Sequence, residues 1–227
     1  MKENLGLKSY LAFSIIYLLI VLFQQDETAW YLKPFLIPFL LITVYFFENF
    51  STKKVLLIAL FFSWIGDVIL LFTDQGELYF IFGLVAFLIS HITYIVLFTK
   101  QFNSRKIKNT SVFWMGIGFI LLYFSILIFT LFPKLGALKM PVLIYAITIT
   151  TMLYFAFKGS LKWTQKMGNQ VLIGAIFFVS SDSILAFDKF YTPVPFNSFL
   201  IMSTYIVAQY FIVSGILKLN HKKIAST

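Results

Sequence analysis

The chain has 227 residues, of which 60% are hydrophobic and 12% charged, and its formal net charge is +9. Because a soluble globule needs about a quarter of its residues charged, this composition excludes a soluble enzyme, a disordered chain and a coiled coil, and it predicts an integral membrane protein. The absence of cysteine excludes disulfides, a thiolate nucleophile and Cys-based metal sites, and two histidines are too few for a three-histidine zinc centre.

Eight long apolar stretches follow one another along the chain, and each is near the ~20 residues that a helix needs to cross a bilayer. Since lipid offers no partners to backbone amides, segments this continuously apolar must be helical. We therefore predict an all-α membrane protein with eight transmembrane helices, at roughly residues 9–23, 30–47, 55–72, 78–98, 111–132, 140–157, 171–187 and 196–217.

The basic residues are concentrated in alternate connections. The N-terminus, residues 48–54, 99–109 and 158–170, and the C-terminal tail hold 14 Lys or Arg, whereas the opposite side holds four. By the positive-inside rule, both termini are predicted to be cytoplasmic. The basic loops then reflect topology and anionic lipid headgroups rather than nucleic acid. We expect a multi-pass protein of a bacterial-type inner membrane, with membrane lipids as partners.

The first apolar stretch is followed by residues 24–27, Gln-Gln-Asp-Glu, which offer no small-residue cleavage site. It is therefore predicted to be a membrane anchor rather than a signal peptide.

Three short matches recur in the same order at an offset of four spans. They pair Leu32–Pro34 with Leu138–Pro141, Gly66–Phe72 with Ser181–Phe187, and Thr93–Val96 with Thr204–Val207. We interpret them as a 4+4 parallel internal repeat. It would form a single membrane domain, residues 1–227, with a first four-helix half at 1–105 and a second at 106–227. Chance similarity among Ile, Leu and Phe runs is the alternative.

Two acids, Asp67 and Asp182, lie inside predicted spans, each five residues before the span's end and thus ~8 Å from it. Under the proposed pseudo-two-fold axis they would face each other, and one would keep its proton because of burial and its like-charged neighbour. Such a pair suits acid–base chemistry through an oxocarbenium-like state. Interhelical hydrogen bonding and a proton or ion relay are the alternatives.

Other polar residues within or beside the spans are candidates for supporting roles. Lys33 and Lys189 could meet a phosphate, or could instead snorkel to the interface. His91, ~20 Å from the end of its predicted span, is expected to be a neutral, hydrogen-bonded supporting imidazole. Ser90 beside it points elsewhere, and no nucleophile-elbow motif supports a serine hydrolase. Candidates for orienting the acids, or for interhelical hydrogen bonds, are Tyr94, Tyr145, Ser183, Tyr205 and Gln209.

Several of these stretches carry a family resemblance. They are Ser63–Leu70, Gly83–Tyr94 and, above all, Gly174–Ser183, continuing through Asp188–Phe190, Pro193–Pro195 and Met202–Gln209. On these residues the chain resembles the YhhN family of membrane proteins from about the second span to the end of the eighth. The resemblance implies eight spans, carries the family's invariant acids onto Asp67 and Asp182, and implies lysoplasmalogenase activity. That activity hydrolyses the vinyl ether of a lysoplasmalogen to a fatty aldehyde and a glycerophospho-base.

The two acids suit that reaction. Protonation of the vinyl carbon remote from oxygen creates an oxocarbenium ion, and water then adds to give a hemiacetal that collapses to the aldehyde. One aspartic acid would donate the proton, and the other would stabilise the cation and take a proton from water, with no metal or cofactor. The lysophospholipid would enter from the bilayer. A small-solute or proton-coupled transporter and a lipid-binding or sensing protein remain as alternatives.

Overall fold

The structure, a computed structural model, describes residues 2–102, 107, 109–163 and 165–224, and the regular secondary structure of this part of the chain is helical throughout. The α-helices are α1 (Lys2–Leu22), α2 (Asp26–Leu32), α3 (Leu36–Tyr45), α4 (Lys53–Ile69), α5 (Glu77–Lys100), α6 (Thr110–Leu131), α7 (Lys139–Lys162), α8 (Gln165–Phe190) and α9 (Asn197–Ile224). Short 3-10 helices lie at Lys33–Phe35, Leu70–Gln75, Phe132–Lys134 and Gly136–Leu138.

Across the described residues these helices form eight segments that are long and apolar enough to cross a membrane. The predicted all-α class and the number of spans are thereby confirmed. The second span, Asp26–Tyr45, combines α2, a 3-10 turn and α3, and the third, Lys53–Gln75, combines α4 with the turn that follows it. The predicted boundary between the two halves, at residues 105 and 106, lies outside the described residues.

The chain divides into two compact units, residues 1–97 with 220–227, and residues 98–219. In the first, the N-terminal unit, α1 packs on α3 and α3 packs on α4. The second, the C-terminal unit, is built around α7, which packs against both α6 and α8.

The connection between α1 and α2 is a tight Schellman turn. The amide of Gln25 donates to the carbonyl of Ile20 (3.1 Å), and the amide of Gln24 donates to that of Val21 (3.0 Å). Gln24 takes the left-handed conformation that this motif needs, with φ = 56°. The turn therefore starts α2 immediately, with Asp26 and Glu27 in its first turn.

The second span is interrupted because proline cannot donate a backbone hydrogen bond. Pro34 lies in the 3-10 turn between α2 and α3, and the residue four positions later is Pro38. The carbonyl of Pro34 thus loses its usual helical donor, and the indole Nε1 of Trp64 donates to it instead, at 2.8 Å. This bond ties α4 to the interruption and keeps Lys33 beside α4.

In the C-terminal unit, α8 and α9 approach each other closely at two glycines. A side chain at Gly174 would bring its Cβ within 2.8 Å of the Ala208 carbonyl and of the Ile212 amide. A Cβ at Gly215 would lie 2.7 Å from Cγ2 of Val171 and 3.2 Å from its backbone nitrogen. Small residues at crossings of this kind let membrane helices pack backbone to backbone.

Candidate functional site

The two predicted acids occupy the same position in their respective spans. Asp67 and Asp182 each lie eight residues before the last residue of the span, which is Gln75 in one case and Phe190 in the other. The sequence estimate of five residues was too short because the helical backbone continues beyond Phe72 as a 3-10 turn and beyond Phe187 as α8. At ~1.5 Å per α-helical residue, Asp182 lies ~12 Å from the end of its span. Asp67 lies ~15 Å from the end of its own, because the last six residues form a 3-10 helix, which rises ~2 Å per residue.

Asp67, on α4 of the N-terminal unit, is almost fully buried, with 3% of its surface exposed. Its charge interacts with the side chains of Tyr10 and Tyr17 on α1 and with Lys33 at the interruption of the second span. Tyr94 on α5 interacts in turn with Tyr10. The structure therefore places two of the predicted supporting residues, Lys33 and Tyr94, in or beside the group around Asp67.

Sequence reasoning missed the contribution of α1, which it treated only as an anchor. Tyr10, Ser14 and Tyr17 are buried and follow the i, i+4, i+7 spacing of a single helix face. This stripe is the signal that could have identified them, since three polar side chains on one face of a membrane helix need partners within the protein. The stripe supplies the tyrosine hydroxyls near Asp67.

Asp182, on α8 of the C-terminal unit, is held by a short hydrogen bond. The hydroxyl of Tyr145 on α7 donates to its Oδ2 at 2.6 Å. Tyr145 was among the residues predicted to orient an acid, and its hydroxyl has the geometry for that task. A donor fixed on a neighbouring helix restricts the rotation of the carboxyl.

A second tyrosine of the same unit, Tyr123 on α6, was not predicted. Its Oη lies 2.6 Å from the Oγ of Ser183. The Ser183 hydroxyl already gives its proton to the carbonyl of Val179, at 2.6 Å, so Tyr123 must be the donor between them. Tyr123 also interacts electrostatically with Asp182. Each acid thus interacts with at least two tyrosines of its own unit.

Tyr205 and Gln209 lie on α9. The amide of Gln209 donates to the Tyr205 hydroxyl at 3.3 Å, and the Tyr205 ring packs edge-on against Phe178, one turn before Asp182 on α8. Lys189 is exposed near the end of α8. The adjacent Asp188 accepts bonds from the Val194 amide and the Asn197 side chain, both at 2.8 Å, and thereby fixes the loop into α9.

His91 and Ser90 lie on α5 in the N-terminal unit. His91 is fully buried and its ring stacks on Phe87 at 6.4 Å. The Ser90 hydroxyl donates to the carbonyl of Ala59 and lies 2.8 Å from the Ser63 hydroxyl, which must therefore donate to it. Ser90 thus joins α4 to α5, which agrees with the sequence argument against a serine nucleophile.

Within the ranges that the structure describes, no three His, Asp or Glu side chains are grouped as metal ligands would be. The chemistry these sites offer is that of carboxyls among tyrosine hydroxyls in apolar surroundings. Such groups can hold a proton, release it to a substrate or orient a water molecule.

Comparison with known proteins gives a family and several relatives. The model of the YhhN family matches residues 28–216. Lysoplasmalogenase TMEM86A of Homo sapiens is 35% identical over 159 residues, which are 67% of this chain and 60% of that protein. Its counterpart in Bos taurus is 33% identical over the same shares. Lysoplasmalogenase TMEM86B of Mus musculus is 28% identical over 70% of this chain and 62% of its own.

The match thus spans about three fifths of the length of these relatives. The search of solved structures found no significant match. The family model covers most of the chain and includes all the stretches on which the resemblance rested. This chain belongs to the YhhN family of integral membrane proteins.

Proposed function

We propose that this protein is a membrane hydrolase that cleaves the vinyl-ether bond of lysoplasmalogens to a fatty aldehyde and a glycerophospho-base. The names of its relatives support this activity. The observation that carries the proposal is that each unit holds one acid, Asp67 or Asp182, within a membrane span among tyrosine hydroxyls. A carboxyl in such surroundings can act on a lipid without a serine nucleophile.

Asp67 and Asp182 are the two acids of the reaction in this proposal. One donates a proton to the vinyl carbon remote from oxygen, which makes the carbon beside oxygen an oxocarbenium centre. The other, as carboxylate, stabilises that cation and takes a proton from the attacking water. The hemiacetal formed then breaks its bond to the glycerol oxygen, which leaves as the alcohol while the aldehyde is released. Tyr145 orients its acid, and Lys33 meets the substrate phosphate.

The test uses purified protein in maltoside detergent with a lysoplasmalogen, and it measures aldehyde release. Asp67→Asn and Asp182→Asn are each expected to lower kcat by ~10²- to 10⁴-fold, as loss of an acid or base does. Asp74→Asn, at an exposed carboxyl of the N-terminal unit, is the matched control and should keep full activity. Near-normal turnover in either acid variant contradicts the two-acid scheme. Turnover of the lysoplasmalogen without an ion gradient distinguishes a hydrolase from a transporter. If no lysolipid is turned over, transport or lipid binding is favoured instead.

The 4+4 repeat, with both termini cytoplasmic in a bacterial-type inner membrane, belongs to the same proposal. The repeat is supported by two observations. Each acid lies eight residues before the end of its span, and the first and fifth spans each provide tyrosines to the acid of their own unit. The chain has no cysteine, so single-cysteine variants are clean topology probes. With an impermeant maleimide, Asp74→Cys should react in intact cells and Ser51→Cys only after permeabilisation. The opposite pattern would invert the topology.

A further inference from the structure

Ser14 on α1 carries a buried hydroxyl that the two-acid scheme does not use. Its side chain is 1% exposed, and its Oγ has no hydrogen-bond partner in the part of the chain that the structure describes. The Tyr10 side chain lies near enough to interact with it, but not at hydrogen-bond geometry. Buried polar groups are almost always satisfied by protein or by ordered water, because an unsatisfied one is costly. Ser14 therefore has a donor and an acceptor to offer to a small polar ligand.

Other hydroxyls of the N-terminal unit are satisfied within the protein. Thr43 and Thr93 each donate to the carbonyl four residues earlier, at 2.6 and 2.7 Å. Ser63 and Ser90 bond to each other between α4 and α5, at 2.8 Å. A bond to the preceding turn is a common solution for a hydroxyl inside a helix, and Ser14 does not use it. Its hydroxyl is thus available to a group outside α1.

Ser14 also lies close to the depth of Asp67 in the membrane. The first and third spans run in the same direction, and Ser14 and Asp67 each lie eight residues before the last residue of their span. At ~1.5 Å per residue, Ser14 is ~12 Å from that end, so it differs in depth from Asp67 by less than one helical turn. Tyr10 and Tyr17 flank Ser14 on the same face of α1, and the charge of Asp67 interacts with both. The face that carries Ser14 is therefore the face beside the acid.

We propose that Ser14, together with the hydroxyls of Tyr10 and Tyr17, holds a water molecule beside Asp67. A buried water makes about three hydrogen bonds, and three hydroxyls with a carboxylate supply partners of the required number and kind. This inference rests on the proposed function for the role of the water, which is to attack the oxocarbenium carbon, and it adds the residues that position it. Asp67 is then the acid that takes the proton of the water.

The held water adds in one balanced step. Its oxygen forms a bond to the carbon beside the ether oxygen, the π electrons of that C–O bond return to the ether oxygen, and one water proton passes to Asp67. A water that is already fixed loses little freedom in the transition state. Ser14 acts through the water and is a positioning residue. Because Tyr10, Ser14 and Tyr17 are all buried, the site should accept water better than a larger nucleophile.

The test measures how the oxocarbenium ion divides between water and methanol. Purified protein in maltoside is given a lysoplasmalogen in buffer that contains methanol. Capture by water yields the aldehyde and capture by methanol yields a mixed acetal, and mass spectrometry gives their ratio. Ser14→Ala removes one bond to the water and opens space for a methyl group. One neutral hydrogen bond corresponds to a factor of roughly two to ten, so the ratio of acetal to aldehyde should rise by that factor.

This ratio does not depend on the fraction of folded protein, so a merely structural effect of Ser14→Ala would leave it unchanged. Ser9→Ala is the matched control, because Ser9 lies on α1 but away from the face of Ser14, and it should keep the wild-type ratio. A second measurement does not need activity. A high-resolution map of the purified wild-type protein should show a water within hydrogen-bond distance of the Ser14 Oγ and of a carboxyl oxygen of Asp67, and the Ser14→Ala map should lack it.

An unchanged ratio in Ser14→Ala, an equal rise in Ser9→Ala, or a map in which the Ser14 hydroxyl bonds only to protein would overturn the water site. A water bonded to Ser14 and Asp67 in a protein that releases no aldehyde would uphold the site and refute the proposed function instead. Aldehyde release without a water at Ser14 would have the reverse meaning. The two proposals therefore fail in distinguishable ways.

Discussion

The bond between Tyr145 and Asp182 offers the sharpest test of how the site works. The Tyr145→Phe variant removes one hydroxyl and leaves the ring that fills the space between α7 and α8. The lost bond, 2.6 Å in length, ends on a carboxyl oxygen. Bonds to charged groups contribute ~1.5–3 kcal/mol, and ~1.4 kcal/mol corresponds to a factor of ten in rate. If the bond holds Asp182 in its working orientation, kcat should fall roughly 10- to 100-fold.

The kinetic signature distinguishes orientation of the acid from lipid binding. Tyr145 contacts the acid, so we expect kcat to fall while KM stays nearly unchanged. Aldehyde release over a range of lysoplasmalogen concentrations provides both constants. Tyr154→Phe is the matched control, because it removes a hydroxyl from the same helix at a residue whose ring packs against Phe155 and Lys158. It should leave both constants unchanged.

Two results would refute this reasoning. If Tyr145→Phe keeps kcat within twofold of the wild type while Asp182→Asn is inactive, the acid works without the tyrosine. If Tyr145→Phe lowers kcat only in proportion to a loss of folded protein, measured by thermal unfolding, the bond is structural. Tyr123→Phe adds an internal comparison, since its hydroxyl reaches Ser183 and not the acid's Oδ2. A smaller decrease in kcat is expected for it than for Tyr145→Phe.

Three further predictions concern the remaining elements of the fold and site. Tyr17→Phe and Tyr10→Phe should each lower kcat by a few-fold to tenfold, because each removes a hydroxyl that interacts electrostatically with Asp67. Unchanged aldehyde release in both variants would remove α1 from the site. Gly174→Ala should destabilise the protein by ~1–3 kcal/mol, because the added Cβ would meet backbone atoms of α9. Gly118→Ala is the control: nothing lies within 4 Å of its added Cβ, so the better helix propensity of alanine should raise the unfolding temperature slightly. Full activity is expected after dialysis against a chelator, and a loss that Zn²⁺ or Mg²⁺ restores would show that a metal is needed.

The eight spans could be predicted from the sequence because hydropathy over ~20 residues is a strong signal that local detail does not disturb. The interruption of the second span could not. Pro34 lies near the start of the predicted span at residues 30–47, where a proline is tolerated, but the helical span begins earlier, at Asp26. The prediction treated the acids at residues 26 and 27 as lying outside the span. In the structure they form the first turn of α2, where acidic residues are favoured by the helix dipole.

The acids of the site could be predicted for the same reason, since a carboxylate inside an apolar span is conspicuous. Tyrosines are harder to identify, because this chain has 12 and an apolar helix can carry them as interface or packing residues. Tyr145 was one of several candidates, and only coordinates distinguish the one that reaches Oδ2. To identify Tyr10 and Tyr17, one must know which face of α1 is buried. That face is determined by the packing of α1 on α3.

One residue of sequence explains why Lys33 and Lys139 have different surroundings in the two units. Lys33 is followed directly by Pro34, eight residues after the second span begins, so the proline interrupts the helix and Lys33 comes beside Asp67. In the C-terminal unit, Met140 separates Lys139 from Pro141, and the proline falls in the first turn of α7, where its missing N–H costs nothing. Lys139 then lies over the ring of Phe132, at 5.2 Å, and α7 continues unbroken to present Tyr145 to Asp182. The spacing between lysine and proline at the start of each span therefore decides whether the helix is interrupted there or continues unbroken.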